Sequence, residues 1–177
     1  MPRTPRALAG LAALVVAAPT AALLPASAHA AVTLDCTTGP LTLADSTEDY
    51  VLTGACGDVV VTGSNVTVAL TTAASLTVTG ANTVVHATAV PTVRVEASNV
   101  LVRVPTLGRA RLVGANNAVV GEKGTKVTVR GANNRVTYRS LRAVVVRGPN
   151  NTVKVRVGTT KVRVKGANNV VRVHRRG

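Results

Sequence analysis

The side chains of this chain that could do chemistry are overwhelmingly basic. Of its 21 lysines and arginines, all but Arg3 and Arg6 follow Asp58, where they meet just two carboxylates, Glu96 and Glu122. The formal net charge is +14. Basic residues recur two apart, as in Arg109 and Arg111 or Lys161, Arg163 and Lys165. They recur again at intervals of 17 or 18, as in Arg94 and Arg111, Arg109 and Lys126, or Arg130, Arg147 and Lys165. Cations repeated at a fixed interval attract and hold extended anions by charge. They do not by themselves break bonds. Glu96 and Glu122 fall at different places in that interval, so they offer no paired-carboxylate site. His86 and His174 are widely separated and have no cysteine or carboxylate neighbour with which to bind zinc. Asp45, Glu48 and Asp49 read as a solvated acidic segment. No Gly-x-Ser-x-Gly elbow, phosphate loop or dinucleotide fingerprint occurs. The sequence therefore points to a non-enzyme with no catalytic residue, no cofactor and no metal.

What positions these cations is a repeat. Gly-Ala-Asn-Asn starts at Gly114, Gly131 and Gly166, with the variant Gly148-Pro149-Asn150-Asn151 between the last two. The spacing is 17, with a final step of 18, and counting back finds degenerate copies at Ala97, Gly80, Gly63 and Ser46. We number each repeat from its glycine. Position 6 is then Val51, Val68, Val85, Val102, Val119, Val136, Val153 and Val171, and position 8 runs from Thr53 through Leu70 to Val173. Positions 14 and 16 are almost all valine or leucine. Apolar residues at 6 and 8, and again at 14 and 16, describe short strands with one inward face. Valine suits such a pleated, packed surface. Helical spacing is absent throughout the repeat. The expectation is an all-β, single-domain parallel β-solenoid (β-helix) of about 17 residues per coil and about eight coils.

The turn chemistry agrees. Asparagine tolerates the left-handed region better than other residues that carry a side chain. Position 3 is Asn65, Asn82, Asn99, Asn116, Asn133, Asn150 and Asn168. With rungs ~4.8 Å apart, these side chains are expected to stack as a structural asparagine ladder.

Residues 1–30 read as a secretory signal peptide: a basic start, an alanine-rich apolar run, and Ala28-His29-Ala30 as the cleavage site. Residues 31–62 form an acidic N-terminal cap and first coils, and residues 63–177 the repeat coils. Cys36 and Cys56 are 20 apart, close to one coil, which places them to form a disulfide that staples the cap. The basic end at His174-Arg175-Arg176-Gly177 blunts the final edge.

The Gly-x-Asn-Asn-x-Val-x-Val unit at Gly114–Gly121, Gly131–Tyr138, Gly148–Val155 and Gly166–Val173, after a leader and a two-cysteine segment, resembles the family known as domain of unknown function 3060. The resemblance implies an exported bacterial protein, of a kind common in actinobacteria. It assigns no activity.

Alternation along the strand turns positions 13, 15 and 17 outward together. Position 13 has Arg109, Lys126 and Lys161. Position 15 has Arg94, Arg111 and Arg163. Position 17 has Arg130, Arg147 and Lys165. This predicts one long cationic face on a secreted or envelope-associated structural or adhesive protein. Its expected partner is an anionic cell-wall or membrane-surface polymer. Nucleic acid is the weaker partner, because stacking aromatics are missing. The alternatives are an enzyme acting on acidic polysaccharide and a homo-oligomer assembled through the solenoid ends.

Overall fold

The computed structural model of the chain describes residues 30–36 and 39–174; the expected leader, apart from Ala30, and Arg175-Arg176-Gly177 lie outside them. The first coil contributes β1 (Val32–Asp35) and β2 (Leu41–Leu43). Three coils follow with one long strand each: β3 (Asp49–Val61), β4 (Thr67–Val78) and β5 (Val84–Val95). The next is divided into β6 (Leu101–Arg103) and β7 (Thr106–Val113). Then come β8 (Ala118–Arg130) and β9 (Arg135–Arg147). The last turns give β10 (Thr152–Val155), β11 (Lys161–Lys165) and β12 (Val170–Val173). Each coil pairs in parallel with the one before it, so the chain winds into a β-solenoid of about eight turns. Val85 lies opposite Val102, and Val119 opposite Val136. After β9 the offset grows by one, with Val144 opposite Val162, as the final 18-residue step requires.

Val68, Val85, Val102, Val119, Val136 and Val153 at position 6 are all fully buried, as are most residues at 14 and 16. The core has two further columns. Position 11 turns inward as Ala73, Val90, Leu107 and Leu141, and position 4 as Val66, Thr83, Val100, Asn117, Asn134 and Asn151. The inward steps within a long strand are therefore 2, 3, 3 and 2, as the burial of β4 shows. Strict alternation would run straight past the core. The two three-residue steps beside position 11 are where the coil turns its corners.

Position 11 of the first full coil is Cys56, which pairs with Ala73 in register. Its disulfide to Cys36 spans a Cα–Cα distance of 4.6 Å and joins the first two rungs. In that coil the constant count of 17 fails. Tyr50 and Leu52, not Val51 and Thr53, occupy positions 6 and 8, opposite Val68 and Leu70, and Val51 is exposed. The register shifts between Leu52 and Ala55, where Gly54 takes φ 81° and absorbs one extra residue. A one-residue slip exchanges the two faces of a strand, so the straight count put the wrong residues inside.

The corner asparagines at position 3 all adopt φ between 54° and 61°, and Thr47 takes the same conformation in the first full coil. Their side-chain ladder is shorter than expected. Among the described residues it joins Asn82 Nδ2 to Asn65 Oδ1 and Asn99 Nδ2 to Asn82 Oδ1, each at 3.0 Å. From Asn117 onward, in the sixth coil, the ladder passes to position 4. Asn117, Asn134, Asn151 and Asn169 each accept an N–H from the preceding coil at 2.9 Å. Each also donates from Nδ2 to the position-1 carbonyl of that coil, at 2.9–3.0 Å. The second asparagine thus satisfies buried backbone, while the first shapes the turn. Glycine is preferred at position 1 for a related reason, with Ala97 an exception. At Gly148, with φ 132°, a Cβ would run into the Gly131 carbonyl of the rung below.

Candidate anion-binding face

Burial of positions 14 and 16 forces 13, 15 and 17 to the outside, and parallel pairing in register stacks each of them as a column. Along β5, β7, β8, β9 and β11, column 13 reads Thr92, Arg109, Lys126, Ala143 and Lys161. Column 15 reads Arg94, Arg111, Thr128, Val145 and Arg163. Column 17 carries Arg130, Arg147 and Lys165, with Val113 before them. Neighbours in a column are ~4.8 Å apart, and neighbours along a strand about 6.6 Å apart. All nine basic residues singled out from the sequence therefore lie on one side of the stack. Eight are exposed, and Arg111 is half-buried.

The face is not uniform. Ala143 and Val145 leave β9 without charge in columns 13 and 15. This divides the face into a group on β5, β7 and β8 and a second group on β11, with Arg147 between them in column 17. The single ion pair among the described residues joins Arg94 to Glu96 at 2.5 Å. The hydrogen bond from Arg94 holds the Glu96 carboxyl below its ordinary value, and the charges of Arg94 and Arg111 add to the effect.

Within the upper group a groove of about 320 Å³ runs between columns 13 and 15. Its walls include Thr92, Arg94, Arg109, Arg111, Lys126 and Thr128. The Nε of Arg111 is buried there and has no hydrogen-bond partner. A larger groove, about 450 Å³, crosses columns 7 to 9 nearer the N-terminus. It is lined mainly by small and apolar residues such as Val51, Ala69 and Leu70, with His86 and Arg103 as its charge-capable members.

Glu96 lies in column 17 and Glu122 in column 9, on different sides of the coil. Among the described residues no three His, Cys, Asp or Glu side chains gather closely enough to hold a metal ion. The depth of Arg111 was hidden in the sequence, because neighbouring coils set its burial and its type is shared with fully exposed neighbours.

A family model described as "Protein of unknown function (DUF3060)" matches residues 48–99 and again 95–141. No match was found among curated proteins or among solved structures.

Proposed function

Since the chain belongs to the DUF3060 family of proteins of unknown function, its role must be argued from its own surface, and we propose a secreted, non-catalytic rod that binds an anionic polymer of the cell envelope. The observation that carries this reading is the register of the cations. Columns 13, 15 and 17 place Lys and Arg on adjacent rungs, on one side, with one carboxylate paired among them. A flat strip of this kind meets an extended polyanion at many points, and each contact releases counterions. The Cys36–Cys56 disulfide supports an oxidising compartment. The reading of residues 1–30 as a secretory leader supports export.

The test is retention of the purified protein by isolated bacterial envelope across a salt series, beside a variant carrying R130E, R147E and K165E. The expected result is strong binding at low salt that falls steeply as salt rises, and that is weakened by the triple change. Absence of binding at low salt would remove the reading.

A further inference from the structure

The groove between columns 13 and 15 differs from the rest of the cationic side. Elsewhere the Lys and Arg side chains stand in solvent. Here Arg109 and Arg111 on β7 are flanked in register by Thr92 and Arg94 on β5 and by Lys126 and Thr128 on β8. They surround a defined volume of about 320 Å³. Among the described residues, the Arg111 Nε is the one buried side-chain nitrogen or oxygen atom with no hydrogen-bond partner. A buried donor on a charged group is costly until an acceptor meets it. Neither Thr92 nor Thr128 supplies that acceptor, and the one carboxylate beside the groove, Glu96, is engaged by Arg94.

We propose that this groove is a discrete subsite for one tetrahedral oxyanion, a phosphate or sulfate group of a larger ligand, with Arg111 as its anchor. The proposal rests on the reading that this side of the rod binds anions. Phosphate or sulfate fits better than carboxylate on two grounds. Its three or four oxygens can accept from Arg109, Lys126 and the side-on fork of Arg111 together, where a carboxylate has two. A phosphate monoester or sulfate ion also carries close to two negative charges where a carboxylate carries one, matching cations set on consecutive rungs. The threonine hydroxyls on the rungs above and below can donate to the remaining oxygens. The Arg109 and Lys126 side chains that line the groove beside Arg111 are long and cationic, so an entering oxyanion can draw their ends onto itself.

Arg111→Lys separates geometry from charge, since it keeps the charge and removes the fork. Isothermal titration calorimetry of the purified protein would use inorganic phosphate, sulfate and acetate at matched ionic strength. The subsite predicts one saturable site for phosphate, sulfate or both, at least tenfold tighter than for acetate. R111K should weaken it at least tenfold, and R139K, at an exposed arginine of β9 outside these columns, should leave it within twofold. The phosphate and sulfate arms decide which ester the site takes. Thermal melts of both variants check that they fold. Saturation equal for acetate, or equal weakening by R139K, would overturn the subsite. Envelope retention that falls with salt while no small anion saturates would overturn the subsite and leave the broader face standing. Loss of both would overturn the two together.

Discussion

Replacing Asn134 with alanine should destabilise the rod far more than replacing its neighbour Asn133. Asn134 is 1% exposed. Its Oδ1 accepts the Asn117 N–H at 2.9 Å, and its Nδ2 donates to the Gly114 carbonyl at 3.0 Å and to Asn151 Oδ1 at 3.1 Å. Alanine removes all three. It leaves a buried N–H and a part-buried C=O of the preceding coil without partners. Each orphaned group costs ~1–3 kcal/mol, so the change should cost roughly 2–6 kcal/mol. Asn133 is exposed, with φ 57°. Alanine there meets a left-handed penalty of about 1–2 kcal/mol at most. Asn133→Gly, free of that penalty, should fall within about 0.5 kcal/mol of the parent. Urea unfolding followed by far-UV circular dichroism gives each value from the midpoint at constant slope. A reduced slope for Asn134→Ala would show the array parting at that rung rather than unfolding as a unit. If Asn134→Ala proved no worse than Asn133→Ala, the view that position 4 satisfies buried backbone would be wrong.

Two more predictions concern the core. A Cβ at Gly124 would lie 2.7 Å from Leu141 Cδ1 and 3.2 Å from Tyr138 Cε1, so Gly124→Ala should cost about 1–3 kcal/mol by overpacking, read as a lower urea midpoint. An unchanged midpoint would mean that the Tyr138 ring is not confined there. Replacing Cys36 and Cys56 together with serine should cost about 3 kcal/mol, because the bond closes a 20-residue loop. Melting of the parent with and without reductant should show the same loss, and identical melting temperatures would exclude a stapling role.

The stacking of this fold was legible because a solenoid writes its contacts into a single number. Once the interval of 17 is recognised, Val85 must face Val102 and Arg109 must face Lys126, whatever lies between. The departures come where one coil breaks the rule or where burial depends on corner geometry. The extra residue at Gly54 cannot be placed from valine counts, since Val51 and Leu52 are equally apolar. Position 11 escaped because it is separated from its neighbours by steps of three, which an alternating template does not contain. The second asparagine of each late repeat was visible and as regular as the first. Left-handed turns favour asparagine and so single out position 3 in the sequence, whereas the role of position 4 depends on which amides of the preceding coil are buried. The cationic columns follow from register alone. The groove at Arg111 does not, because side chains of three coils must be placed before a cavity exists.

The charges in these columns are not something the fold requires. β9 carries Ala143 and Val145 where β8 carries Lys126 and Thr128, yet Val144 and Val146 are as fully buried as Val127 and Val129. Outward residues are thus decoupled from the packing beneath them. Two unit charges ~4.8 Å apart in water repel by roughly 0.9 kcal/mol before screening, and Arg130, Arg147 and Lys165 meet that repulsion at two successive steps. Neutral residues would avoid it without disturbing the core, as β9 demonstrates. Nine of the 17 lysines and arginines among the described residues share these three columns, so the proposed face bears a cost that the fold itself does not impose. The same decoupling makes the face testable. Reversing the charge of Arg130, Arg147 and Lys165 should leave the valine columns and the disulfide intact. Unchanged envelope binding by that folded variant would then count against the face itself, and not against the rod that displays it.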